Sequence, residues 1–164
     1  LGLPVDEARI LPAARPPTLA TVAELVCNPV LAKFQGILST MAAYEMTVTV
    51  KSQYLADQSD PERSLYVFAY VVTIKNSGTV PAQLISRHWV IRDANDQVQE
   101  VRGLGVVGHQ PLLQPGEQFE YTSGTSLATP QGSMQGAYFC VAEDGERFEA
   151  PISEFVLSLP RTLH

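Results

Sequence analysis

The sequence predicts an all-β sandwich of seven or more short strands, preceded by an irregular or partly helical N-terminal extension. Three observations carry that expectation. Apolar residues alternate with period two, most clearly at Tyr66, Phe68, Tyr70, Val72 and Ile74. Turn-forming clusters of Gly, Pro, Asn, Asp and Ser recur at a spacing of about ten residues. No amphipathic helix of useful length follows Met41.

The strands follow in order. Met46, Val48 and Val50 alternate with Thr47, Thr49 and Lys51, which predicts a strand with one buried face. The stripe Tyr66–Ile74 is opposed by Val67, Ala69, Val71, Thr73 and Lys75, largely apolar on both faces, as a central strand should be. Asn76-Ser77-Gly78-Thr79 supplies a turn, with Gly78 able to take positive φ. Gln83–Asp93 is the next strand, expected to place Ile85, Trp89 and Ile91 on one face and Leu84, His88 and Val90 on the other. A polar turn at Asp93–Asp96 leads into Val98–Val101. After a glycine-rich loop and Pro115-Gly116, Gln118–Ser123 reads as a strand. Ala137–Ala142 and Arg147–Ala150 pair across Glu143-Asp144-Gly145, where Asp-Gly is a strong hairpin signal, and Glu154–Leu159 closes the fold.

Composition changes near Met41. Residues 1–40 hold five of the twelve prolines, and the stretch Thr18–Leu38 is at most a short helix that Pro29 interrupts. Asp6 and Glu7 stand where a secretory signal carries positive charge, and no long apolar run follows them. The chain is therefore divided into an extension, 1–40, and a folded domain, 41–164. The change at a methionine suggests Met41 as the natural start; a genuine docking extension is the alternative.

A net charge of −6, with Lys and Arg scattered singly, argues against nucleic acid as a partner. No apolar run approaches the roughly 18 residues a bilayer-spanning helix needs, so membrane insertion is not expected. Cys27 and Cys140 are far apart, without a CxxC or a neighbouring histidine, so they read as free thiols in a reducing, cytoplasmic setting rather than as zinc ligands. His88, His109 and His164 never fall at close ligand spacing with a carboxylate or thiol, and no metal site is assigned. Ser123, Ser126 and Cys140 lack a recognisable activating base, so no catalytic residues are assigned and the chain is read as a non-enzyme.

The run Gly103–Gly108, GLGVVG, matches G-x-G-x-x-G on paper. That motif binds dinucleotides only where a strand and a tight turn lead into a helix N-terminus. Here Pro111 and Pro115 prevent a regular helix across the stretch that follows, so the dinucleotide reading fails. The glycines then serve as loop architecture. An anion nest is the alternative: N–H groups of Gly103, Gly105 and Gly108, with charge from Arg87, Arg102 or His109, could hold phosphate or pyrophosphate. Arg87 has a structural reading beside the functional one, with its stem over apolar surface and its head on loop carbonyls. A third reading makes the loop a partner surface, with Val106, Val107, Leu112 and Leu113 as an exposed apolar patch.

Read together, four segments resemble the ApaG family: YVFAYVVTIKNSGTVPAQLISRHWVIRDAND (Tyr66–Asp96), EVRGLGVVGHQPLLQPGEQFEYTSGT (Glu100–Thr125), GSMQGAYFCV (Gly132–Val141) and FEAPISEFVLSLP (Phe148–Pro160). The combination of SRHW, VRGLGVVGHQP and PGE…YTSG is far more specific than G-x-G-x-x-G alone. The resemblance runs from about Ala43 to Pro160 and implies a fibronectin type III-like (immunoglobulin-like) sandwich in a bacterial stand-alone protein. It further implies a genetic link to cobalt resistance and magnesium efflux, no established catalysis, and kinship with domains that mediate protein–protein interaction. On that basis the expected function is a non-enzymatic module for an unidentified protein partner. A phosphate or pyrophosphate ligand, direct binding of Mg²⁺ or Co²⁺, and a homodimer remain as alternatives.

Overall fold

Period-two burial produces nine strands in the computed structural model, which describes residues 8–11 and 42–160. They are β1 (Ala8–Leu11), β2 (Met46–Tyr54), β3 (Tyr66–Asn76), β4 (Ala82–Asp93), β5 (Val98–Leu104), β6 (Leu112–Leu113), β7 (Gln118–Leu127), β8 (Gln131–Ala142) and β9 (Arg147–Ser158). Two single-turn 3-10 helices, Ala56–Gln58 and Pro61–Arg63, link β2 to β3. The helix considered at Thr18–Leu38, the boundary at Met41 and Cys27 lie outside the described residues.

Two antiparallel sheets face each other. The first has the order β1-β7-β3-β2, and the second β5-β4-β8-β9 with β6 added against β4. The β-sandwich expected from the sequence is the fold observed. Along β3, Phe68, Tyr70, Val72 and Ile74 are buried and face the second sheet. Val67 on the other face is buried where the β2–β3 connection binds it, its N–H donating to Ser59 Oγ at 2.9 Å and its carbonyl accepting from the Leu55 N–H at 2.8 Å. Across the gap stand Leu84, Trp89 and Ile91 of β4 with Met134, Tyr138 and Cys140 of β8. Trp89 anchors the middle, its ring edge-on to those of Tyr138 and Phe155 at 6.2 and 6.0 Å and tilted against Tyr70 at 5.7 Å. Burying each such large apolar side chain stabilises the fold by about 1.5–3 kcal/mol.

Three details differ from simple alternation. On β4, Leu84 is fully buried while Ile85 is not, although Trp89 and Ile91 point inward as expected. A bulge between Leu84 and Ser86 inserts one extra residue against β8 and reverses the phase of the strand. The two strands expected at Arg147–Ala150 and Glu154–Leu159 are one continuous strand, β9, which passes through Pro151 with a bulge opposite Met134 and Gly136. Proline is tolerated there because β9 is an edge strand, so its missing N–H need not donate to a neighbour. The third is β1, an additional strand that the sequence pattern did not reveal.

Asn76, expected only as a turn residue, is a buried staple at 1% exposure. Its side-chain amide donates to the carbonyls of Val80 (3.0 Å) and Leu113 (2.8 Å), and its Oδ1 accepts from the Gly78 N–H (3.0 Å). One side chain therefore ties the β3–β4 turn to β6 across the end of the sandwich. Asn76→Ala leaves these groups unpaired in a dry site and is expected to lower unfolding free energy by about 2–3 kcal/mol, measured by urea denaturation.

Candidate functional site

The glycine-rich run owes its form to the β4 bulge. The chain leaves β4 at Ser86↔Leu104 and rejoins it at Gln83↔Leu112, so residues 105–111 detour around Ile85. The Ile85 carbonyl accepts from the Gly105 N–H and from the Gln110 side-chain amide, each at 2.8 Å, while the Leu84 N–H donates to the Pro111 carbonyl at 3.0 Å. Within the detour Val106 and His109 exchange both backbone hydrogen bonds at 2.8 Å. Between them Val107 (φ 47°) and Gly108 (φ 77°) form a two-residue turn with positive φ at both positions, the type I′ pattern. A β-branched residue resists that conformation, and packing of Val107 against the core holds it there.

Each glycine has a local reason. A Cβ at Gly103 would lie 3.0–3.1 Å from the Arg87 guanidinium, so this glycine leaves room for that side chain. Gly105 has φ +59°, and a Cβ there would collide with the His109 carbonyl oxygen. Gly108 needs positive φ but has open space around it.

Of the proposed anion ligands, Arg87, Arg102 and Gly103 line one open groove, Gly105, Gly108 and His109 stand outside it, and both guanidiniums are engaged within the chain. Arg87 is opposite Gly103, and Arg102 is opposite His88 one residue along, which places the two arginines on opposite faces of the β4–β5 ribbon. Arg87 Nη1 donates to the carbonyls of Leu104 (3.0 Å) and Gly105 (2.8 Å), which is its structural reading. On the outer face Arg102 and His88 both reach Glu100 Oε2, at 3.2 and 3.0 Å. The His88 contact, then that of Arg102, hold the Glu100 carboxyl below the usual carboxylate range. His109 packs its ring on Phe119 at 5.9 Å. The N–H groups of Gly105, Val106 and His109 are used within the chain.

The expected apolar patch also changes. Val106 and Leu113 are fully buried and Val107 is half-buried, leaving Leu112 as the exposed member. Leu104, which sequence reasoning passed over, is 76% exposed at the end of β5. Val106 and Leu113 turn inward because the detour closes one end of the sandwich core.

What the structure does bring together is a cleft between the sheets. Two adjoining cavities of about 240 and 370 Å³ share Tyr70, Arg87, Trp89 and Ser123 in their walls. One continues toward Val107 and Gly108, the other along Gln99, Val101 and the Ser123–Ser126 stretch of β7. Buried aromatic rings form the base, with Arg87 lining both halves. At its deep side the Tyr121 and Tyr138 hydroxyls share a hydrogen bond, and burial, then the neighbouring Tyr121, push the Tyr138 hydroxyl well above its ordinary pKa. A second, open groove of about 530 Å³ is lined by Arg87, His88, Arg102, Gly103, Phe139 and Glu149. Neither cavity was foreseeable from single-strand periodicity, because each depends on how strands of different sheets or neighbouring strands meet.

Among the described residues, no three His, Cys, Asp or Glu side chains are placed to share a metal ion. Cys140 is buried, and burial pushes its thiol up to about 12.

Comparison with known proteins gives the lineage. Residues 56–142 match the family model described as ApaG domain. The chain belongs to the ApaG family. A Protein ApaG of Ralstonia nicotianae is 64% identical over 124 residues, covering 76% of this chain and all of that protein. That of Dechloromonas aromatica is 61% identical over 127 residues, 77% of this chain and again all of the relative. A solved Bordetella pertussis structure bearing the name ApaA protein is 60% identical with a TM-score of 0.73, covering 74% of this chain and 99% of that one. The sandwich is thus the ApaG fold, and ApaG proteins of about three quarters this length exist as whole proteins.

Two measurements check these assignments. Gly105→Ala must move the His109 backbone and is expected to destabilise by more than about 2 kcal/mol, whereas Gly108→Ala bears only the left-handed backbone penalty of about 1–2 kcal/mol; paired urea melts read the difference. In a Cys27→Ser background, iodoacetamide at pH 8 should label Cys140 only as fast as the protein opens, because the native thiol is protonated and enclosed.

Proposed function

We propose that the chain is a non-enzymatic ApaG module that recognises another protein, with the cleft between β5, β4 and β7 as its contact surface. The observation that carries this reading is the asymmetry of the sandwich. One flank is closed where β2 packs on β9, while the other leaves aromatic side chains at the base of a cleft rimmed by two strand edges. The accessible lining is largely polar, from Arg87, Gln99 and the Ser123–Ser126 stretch, over a floor of buried aromatic rings. Convergent polar groups of this kind fix the orientation of a bound partner. The buried, protonated Cys140 thiol supports binding over nucleophilic chemistry.

Among the described residues no helix is long and apolar enough to cross a membrane. Any bearing on cobalt resistance or magnesium efflux then runs through a partner, and the cytoplasm is the setting in which such an adaptor would act. Phosphate recognition is less well supported, since Arg87 is committed to loop carbonyls and Arg102 to Glu100.

A photo-crosslinking amino acid placed at Ser123 or Gln99 on the rim is expected to yield discrete protein adducts in the native host. The same probe at Glu143, on the β8–β9 turn, should not. Equal adducts at all three positions, or a clear rise in melting temperature with pyrophosphate or Co²⁺, would overturn the reading.

A further inference from the structure

The β7 edge carries a second observation that bears on the partner. β7 is ten residues long, and β3 pairs along its whole length on one side. On the other side, β1 covers Gln118–Tyr121, with Ala8↔Tyr121, Arg9↔Glu120, Ile10↔Phe119 and Leu11↔Gln118 in register. Among the described residues no strand covers Thr122–Leu127 on that side. The same stretch, through Ser123 and Thr125, is a wall of the inter-sheet cleft.

β1 is a lightly held cover. It has four residues, and Ile10 is 56% exposed although it stands on the same face as Phe119. Its specific contact is Arg9 Nη2 to Glu120 Oε1 at 2.9 Å, while Glu120 Oε2 accepts from the Thr73 hydroxyl at 3.2 Å. Glu120 is thus preset on the sheet surface to receive a cation from whichever strand lies beside it. The Arg9 contact holds its carboxyl below the usual range, consistent with that pairing. Edges of this kind are readily completed by a strand from another chain.

We propose that the β7 edge is a strand-acceptor site, that β1 is its tethered occupant, and that the protein partner binds by laying an extended segment antiparallel to β7 in place of β1. This rests on the protein-binding reading and specifies its chemistry. Backbone N–H and C=O groups of β7 supply the affinity. An arginine or lysine opposite Glu120 fixes the register. Because directly opposed residues share a face, partner side chains opposite Ser123 and Thr125 enter the cleft above Tyr70, Trp89 and Arg87. In a chain that carries residues 8–11, β1 competes with the partner and tunes its affinity.

The domain without residues 1–41 corresponds in extent to whole ApaG proteins, one of them represented by a solved structure, so it is suited to a direct test. A synthetic peptide of residues 5–14, VDEARILPAA, is titrated into the fragment 42–164 and into the full chain, with binding read by fluorescence anisotropy and by amide shifts in NMR. The fragment is expected to bind the peptide about tenfold or more tightly than the full chain, where the tethered strand acts at high effective concentration. Glu120→Gln in the fragment should weaken binding about two- to fivefold, the size of a partly exposed ion pair. Amide shifts and slowed hydrogen exchange should fall on Gln118–Leu127. No binding to the fragment, equal binding to both proteins, or shifts confined to β2 or β5 would overturn the proposal. Rim adducts at Ser123 without peptide binding would sink strand addition alone. Peptide binding on β7 without rim adducts would sink the cleft as the natural contact and leave the acceptor edge.

Discussion

The whole arrangement turns on the extra residue in β4. A strand has one inward phase, and Leu84 and Trp89 cannot both face the core unless a residue is inserted between them. The bulge at Ile85 supplies that shift. It also leaves a carbonyl and a gap in the ladder, which the Gly105 N–H and the Gln110 amide fill from the neighbouring segment. Deleting the extra residue would turn Trp89 outward, remove the base of the cleft and take Arg87 away from the carbonyls it binds. The glycine-rich run and the cleft are therefore one construction, joined through a single backbone defect.

Strand existence and central position were legible because they rest on local periodicity. Tyr66–Ile74 reads as a two-faced central strand from sequence alone, and Asp144-Gly145 reads as a hairpin, closed here by Ala142 and Glu146 with Gly145 at φ +92°. Phase reversals were not legible. Ile85 and Leu84 are both apolar, so no residue type marks where the extra residue sits, and the choice depends on pairing with β8. The split expected between Arg147–Ala150 and Glu154–Leu159 fails for a related reason: whether a strand can run on through Pro151 depends on whether it has a neighbour on that side, which is a property of the sheet.

The site was legible in part. Arg87 was singled out, and its bonding to loop carbonyls is one of the readings its position allowed. Register separated it from Arg102, because Gly103 and His88 are their respective partners across the ribbon. Val106 and Leu113 were expected outside because loops are usually exposed, yet this loop closes one end of the sandwich and turns its apolar side chains inward. The cleft itself joins residues of β3, β4, β5, β7 and β8, and no run of sequence contains that adjacency.

Pro151 and the bulge on β9 acquire a wider meaning beside the uncovered stretch of β7. A sandwich with equally receptive margins on both flanks can stack head to tail without limit, which is the geometry of a filament. Here the margin at β9 is interrupted by a residue that cannot donate, and β2 packs beside it. Growth through that side is discouraged. Under the strand-acceptor proposal the molecule has polarity, with one flank that receives and one that terminates, so that association through it would stop at a finite, stoichiometric complex.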